Sequence, residues 1–122
     1  IVCVVEEPMD IIGIESSGAF KGLYHVLHGS ISPLEGVSPE DLYIDELMAR
    51  IKNSTINEVL LALDADLEGD TTVLYLTQLL ATVGKEVKLT RIAHGVPLGC
   101  DIDYIDHRTI GRAIENRIRL DL

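Results

Sequence analysis

The clearest chemical feature of this chain is a group of acidic residues directly after an apolar run. The run 60–63 reads Leu-Leu-Ala-Leu, and Asp64, Asp66, Glu68 and Asp70 follow it. Such a run is typical of a buried strand, whose carboxyl end is where an α/β sheet presents ligand-binding groups. Carboxylates held this close repel one another unless a cation or solvent compensates. The pattern therefore predicts a divalent-ion site, most simply for Mg²⁺, which prefers carboxylate oxygens and leaves positions open for phosphate.

A second apolar run, 1–5, also ends in an acidic residue, Glu6. The carboxyl ends of parallel strands meet at one edge of a sheet, so Glu6 faces the Asp64–Asp66 pair if the two strands are neighbours. Alternate residues of an extended segment point the same way, which lets Asp64 and Asp66 reach one ion together. The candidate metal ligands are therefore Glu6, Asp64, Asp66 and Glu68. Capping of the following helix is the alternative role for Asp66 and Glu68, because acidic side chains stabilise a first helical turn.

Strands alternate with helices along the chain. This order predicts an α/β, Rossmann-like fold, in which a mostly parallel sheet of about four strands carries helices on both faces. Pro8 suits the first turn of the first helix, to which Met9, Ile11, Ile12 and Ile14 can give an apolar side. The predicted strands are 1–5, 23–27, 58–63 and 87–93, and the predicted helices begin at Pro8, Ser38, about Glu68 and Asp106, the third ending at Val83 and the last at Arg117.

Length and charge limit the classes of protein to which the chain can belong. Its 122 residues suffice for one compact domain, and 20 Asp and Glu against 10 Lys and Arg give a net charge of −10. Such a surface does not favour a nucleic-acid platform, because phosphate binding needs basic clusters. No membrane-spanning run, signal peptide or zinc-binding cysteine spacing is visible, which favours a cytoplasmic protein. Since Ile1 already lies in a strand-like run, we expect the chain to be part of a longer protein.

The acidic motifs resemble those of the Toprim domain, which occurs in topoisomerases, bacterial primases, small nucleases and the RecR recombination mediators. Glu6 matches its glutamate after the first strand, and the segment 64–69 (DADLEG) matches its D-x-D after the third. Further collinear segments are similar to the C-terminal part of the RecR family. They are 4–10 (VVEEPMD), 22–29 (GLYHVLHG), 31–37 (ISPLEGV), 68–72 (EGDTT) and 91–99 (RIAHGVPLG).

This resemblance implies a single Toprim domain over residues 1–122, without the N-terminal helix-hairpin-helix and zinc finger of RecR. It implies recombinational DNA repair as the process, and a scaffold and partner-binding module with a divalent-metal site as the role. RecO- and RecF-type repair proteins are the implied partners, together with DNA binding by the full-length protein and a homo-oligomer. The loop 94–97 (HGVP) matches a family loop, which implies a role at the rim of the groove.

Two other interpretations stay open. In the first, the chain is a Mg²⁺-dependent phosphoryl-transfer domain of the nuclease, primase or topoisomerase kind, with Glu6 as catalytic general base or acid. In the second, it is an engineered or reconstructed Toprim module, because RecR proteins usually carry a neutral residue where Asp64 stands. No tyrosine is obviously placed as a nucleophile and no basic groove leads to the acids, so we do not expect the isolated domain to be an enzyme.

Overall fold

Four parallel strands form one sheet in the computed structural model, which describes residues 1–93, 95, 99 and 101–120. The strands are β1 (Val2–Val5), β2 (Leu23–Val26), β3 (Glu58–Ala62) and β4 (Lys88–Arg91). Their order is β2-β1-β3-β4, so β1 pairs with both β2 and β3. Val5 lies opposite Val26 on one side and Ala62 on the other. The residues that follow β1 and β3 therefore leave the sheet side by side, and the predicted parallel α/β sheet is confirmed.

One helix follows each strand along the chain, as the sequence predicts. The helices are α1 (Pro8–Ser17), α2 (Ile44–Lys52), α3 (Leu67–Leu80) and α4 (His107–Glu115). Gly18 ends α1 with a left-handed φ of 68°, a conformation that glycine adopts without a steric penalty. α3 ends at Leu80 rather than at the predicted Val83, because the last turn tightens: Thr82 and Val83 donate to carbonyls only three residues earlier.

The predicted helix start at Ser38 is wrong. Ser38 caps only a short 3-10 turn, Pro39–Asp41, in which its N–H donates to the Asp41 carboxylate at 2.9 Å. Leu42 then takes an extended backbone and buries its side chain, and the N–H of Tyr43 donates to the Leu27 carbonyl at 3.2 Å. The capping signal at Ser38 alone would start the helix there. The tertiary contacts of Leu42 and Tyr43 prevent this, and α2 begins at Ile44.

Both faces of the sheet are covered by helices. On one face α2 and α3 pack against side chains of β1 and β3, and the buried apolar residues of these elements are Val2, Val4, Ile44, Leu47, Met48, Ile51, Val59, Leu61, Leu76 and Leu80. On the other face Ile11 and Ile14 of α1 pack on a smaller cluster around Cys3, Val5 and Ala62. Only two of the four residues predicted to form the apolar side of α1 pack on the sheet, because Met9 and Ile12 are 77% and 64% exposed.

The described residues group into two compact units, Ile1–Ile92 and Ala93–Leu122. In the second unit Asp106 caps α4 as predicted, its carboxylate accepting from the Thr109 N–H at 2.8 Å. α4 ends at Glu115, two residues before the predicted end. The loop that the resemblance singled out, at His94, Val96 and Pro97, lies outside the described residues. Among the helices that the structure describes, none combines the length and apolar character needed to cross a membrane.

Candidate acidic site at the carboxyl edge of the sheet

Glu6 and Asp64 leave neighbouring strands and meet at the carboxyl edge of the sheet. The backbone N–H of Asp64 donates to Oε2 of Glu6 at 2.7 Å. Glu6 is 6% exposed, so this bond satisfies a carboxylate that is almost entirely removed from water. The sheet order therefore brings Glu6 to the segment 64–66, as the sequence predicts.

The environment of Glu6 disfavours its charged form. Burial raises the pKa of this carboxyl, whereas the hydrogen bond from the Asp64 N–H lowers it. The charges of Asp64 and Asp66 raise it further, and the Ser30 hydroxyl lowers it slightly. Burial and like charges outweigh the hydrogen bonds, so the pKa of Glu6 lies above the usual range of a glutamate.

Asp64 lies among several carboxylates. Partial desolvation raises the pKa of this side chain, and the charges of Asp10, Asp66 and Glu7 raise it further. The acids that follow β1 and those that follow β3 therefore form one electrostatic group. Such a group binds protons or cations more readily than isolated carboxylates do.

Asp66 serves as the N-cap of α3, the alternative role that the sequence left open. Its Oδ1 accepts from the Gly69 N–H at 2.7 Å. Gly69 is required here, because a Cβ at this position would lie 1.9 Å from the Asp64 carbonyl oxygen. The close approach of the helix start to the end of β3 is thus what places Asp66 and Glu68 near Glu6.

Asp70, the fourth acid of the run, belongs to a different contact. Its Oδ1 lies 3.1 Å from the Arg91 guanidinium on β4, in a half-exposed ion pair. Exposed pairs of this kind contribute little to stability, on the order of 0–1 kcal/mol. Asp70 is therefore part of the α3–β4 surface, whereas Glu68 lines the cleft described next.

A cleft of about 500 Å³ lies beside Glu6 within the unit Ile1–Ile92. Its described lining residues include one histidine, His28, and no lysine or arginine. The carboxylates that line it belong to Glu6, Glu7, Glu35, Asp41, Asp66 and Glu68. Asp64 is not part of this lining, although its charge acts on Glu6. The cleft is thus strongly acidic and open to solvent.

The donor chemistry of this edge suits a hard divalent cation, but the side chains do not converge on one point. Glu6 and Asp66 each accept a backbone N–H with one oxygen, and Glu6 also takes a hydrogen bond from Ser30. Within the part of the chain that the structure describes, no three His, Cys, Asp or Glu side chains form a ready-made metal site. Ion binding would therefore require side-chain rotation, and the bound ion would offset the repulsion among these carboxylates.

The fold is that of a known class of domain. The family model described as Toprim domain matches residues 1–93, and the chain therefore belongs to the Toprim domain family. The model described as RecR, C-terminal matches residues 95–118. Together these matches confirm the resemblance seen in the motifs around Glu6 and Asp64.

Curated relatives named Recombination protein RecR are similar over nearly the whole chain. The one from Bdellovibrio bacteriovorus is 61% identical over 125 residues, which cover 98% of this chain and 60% of the relative. Those from Syntrophotalea carbinolica and Geotalea uraniireducens are 51% and 52% identical, each covering 98% of this chain and 59% of the relative. The chain thus spans about 60% of the length of the curated relatives it matches.

The raised pKa of Glu6 predicts a defined dependence of stability on pH. Between the usual pKa of a glutamate and the raised pKa of Glu6, the folded state binds more protons than the unfolded state. Stability attributable to Glu6 therefore falls as pH rises through this window. Glu6→Gln removes the titration and keeps an oxygen that can accept from the Asp64 N–H. We expect the free energy of unfolding to fall less with rising pH in this variant than in the wild type, as measured by urea unfolding from acidic to neutral pH.

Glu40 provides the control for this measurement. The Ser38 hydroxyl lowers the pKa of Glu40, so its contribution is present at neutral pH and is lost as pH falls. Glu40→Gln should therefore change the slope of stability against pH in the opposite direction to Glu6→Gln. Equal slopes in both variants would mean that Glu6 does not titrate as its burial requires.

Proposed function

We propose that this chain is the partner-binding Toprim module of a RecR-type protein in recombinational DNA repair, and that the acidic cleft is its binding site. The observation that carries the proposal is the lining of the cleft, which holds six carboxylates and, among the described residues, no lysine or arginine. A surface of this kind attracts a basic ligand and repels nucleic acid. Membership of the Toprim family and the similarity to RecR proteins supply the biological process.

RecO- and RecF-type repair proteins are the partners that this proposal names, and the protein works as a homo-oligomer in the cytoplasm. DNA is bound by the full-length protein rather than by the acidic cleft, because phosphates would be repelled there. The buried thiol of Cys3 in β1 agrees with a reducing compartment.

A divalent ion, most simply Mg²⁺, is the second ligand of the proposal. Glu6, Asp64, Asp66 and Glu68 would hold it, after rotation of the side chains that do not yet converge. The ion would offset part of the negative charge of these carboxylates. Within the chain itself, Gly69 and the Asp66 cap would keep α3 close enough to β1 for ligands from both elements to meet.

Phosphoryl transfer is the alternative function, and one observation favours it. Burial raises the pKa of Glu6, and carboxyl groups that act as general acids or bases in active sites often have a raised pKa. In that role Glu6 would hold the proton of a water or hydroxyl nucleophile at its carboxylate. Magnesium-dependent nicking or primer synthesis by the purified chain would support this function, and its absence would leave the scaffold role.

The partner-binding proposal is tested by removing charge from the cleft without removing the cap of α3. Asp66→Asn/Glu68→Gln keeps a good N-cap residue and lowers the negative charge of the cleft by two. We expect it to weaken the binding of a purified RecO-type or RecF-type protein at least tenfold, about 1.4 kcal/mol. The matched control is Asp45→Asn/Glu46→Gln, which removes the same charge from the first turn of α2. Equal loss in both variants would contradict the proposal, since only overall charge would then matter.

A further inference from the structure

Leu34 protrudes from the protein more than any other large apolar side chain among the described residues, at 93% exposure. It stands at the centre of a short 3-10 turn, Pro33–Glu35. Ser32, directly before this turn, is only 3% exposed. The chain thus passes from the interior to full exposure within two residues and presents a single leucine at the tip of a loop.

The loop that carries Leu34 is closed by its own backbone. The N–H of Ser32 donates to the Val37 carbonyl at 3.0 Å, and the N–H of Val37 donates to the Ser32 carbonyl at 2.9 Å. Pro33 restricts the first position of the turn, and Gly36 closes it with a left-handed φ of 74°. These restraints hold the loop in one conformation. Binding of a partner therefore costs little conformational entropy in the backbone that carries the leucine.

The base of the loop is attached to both elements that form the acidic site. The Gly29 N–H donates to the Glu6 carbonyl at 2.9 Å, and the Ile31 N–H donates to Oγ1 of Thr72 at 2.9 Å. The Thr72 hydroxyl is fully buried and donates in turn to the Glu68 carbonyl at 2.8 Å. Leu34 is therefore held at a fixed position relative to the carboxylates of the cleft.

Three exposed apolar side chains lie close in sequence to carboxylates of this cleft. In the unit Ile1–Ile92, the three most exposed large apolar residues are Leu34, Met9 and Leu67, the last two at 77% and 68% exposure. Each lies within two sequence positions of a carboxylate that lines the cleft. Single exposed apolar residues are common on proteins, but Leu34 is the most exposed of them and stands on a closed loop attached to the acidic site.

We infer that Leu34 is the anchor of a protein interface, inserting into an apolar pocket on a partner whose basic side chains face the acidic cleft. The partner is a protein rather than a nucleic acid, because phosphates beside the cleft would meet six carboxylates. An aromatic or aliphatic anchor that fills a pocket on the partner can form the centre of a binding interface. The inference rests on the proposed function, for which it names the contact that supplies most of the affinity.

Leu34→Ala in the full-length protein tests this inference, with purified RecO-type and RecF-type proteins as the probes in calorimetric titrations. We expect the variant to bind its partner at least tenfold more weakly than the wild type, because a few anchor side chains carry most of the binding energy of an interface. Leu74→Ala is the matched control, because Leu74 is also exposed, at 59%, but lies on α3 and is not adjacent in sequence to any residue that lines the cleft. It should bind within about twofold of the wild type, which is within the scatter expected for a surface substitution.

The possible outcomes separate this inference from the proposed function. If the wild type binds a partner and Leu34→Ala binds equally well, the inference is overturned and the proposed function stands. If the wild type binds neither protein, the proposed function fails and the inference with it. Loss of binding to a single-stranded oligonucleotide alone, with protein binding retained, would also overturn the inference. Thermal unfolding of Leu34→Ala should match that of the wild type, because the side chain makes few contacts.

Discussion

Gly69→Ala should lower the free energy of unfolding by about 3 kcal/mol or more, and the thermal midpoint by roughly 10 °C. The added Cβ would lie 1.9 Å from the Asp64 carbonyl oxygen and 3.1 Å from Oδ1 of Asp66. The first of these atoms is backbone, so the clash can be relieved only by moving the start of α3 away from the end of β3. That movement also breaks the cap bond from the Gly69 N–H to Asp66, which contributes about 1 kcal/mol.

Gly13→Ala is the control for this substitution. Gly13 lies inside α1, and a Cβ there would meet no atom within 4 Å. Alanine at an unobstructed helical position is expected to stabilise the protein by roughly 0.5–1 kcal/mol. Thermal unfolding of the two variants should therefore shift in opposite directions. A Gly69→Ala protein as stable as the wild type would contradict the close approach of α3 to β3 on which the acidic site depends.

Mn²⁺ should stabilise the wild-type chain and fail to stabilise Asp64→Asn/Asp66→Asn. At about 100 times its dissociation constant, an ion that binds only the folded state raises the free energy of unfolding by about 2.7 kcal/mol. The two substitutions remove charge while asparagine at position 66 can still cap α3. The variant should therefore fold as the wild type does and lose the shift in thermal midpoint that the ion produces.

Asp45→Asn/Glu46→Gln serves again as the control for overall charge, because both residues lie in the first turn of α2. It should keep the full response to Mn²⁺. Stabilisation of the same size in all three proteins would show that the ion screens the net charge of −10 rather than binding at the carboxyl edge of the sheet.

The sheet and the meeting of Glu6 with Asp64 could be predicted from sequence because both follow from strand order. A β-branched run at 1–5 and an apolar run at 60–63 specify buried parallel strands, and parallel strands direct the residues after them to one edge. The residue types at that edge then indicate the chemistry. Each of these signals lies within a short stretch of sequence. The two acidic stretches meet because β1 and β3 are neighbours in the sheet.

The parts that sequence could not supply depend on contacts between distant segments. Ser38 has the pattern of a helix start, yet the burial of Leu42 decides where α2 begins. The two roles open to Asp66 could be separated only by the position of the Gly69 N–H. Thr72 carries no sequence signal for its bond to Ile31, which lies 41 residues away and fixes the Leu34 loop.

We propose that acids following two neighbouring strands form one cation-attracting site at the edge of the sheet. Anomalous difference density from a crystal soaked in Mn²⁺ tests this. We expect a single strong peak within coordination distance, about 2–2.5 Å, of carboxylate oxygens from both sides, Glu6 on one and Asp64, Asp66 or Glu68 on the other. A well-soaked crystal with no peak there, or with ions bound only at surface acids such as Asp45 and Glu46, would contradict it.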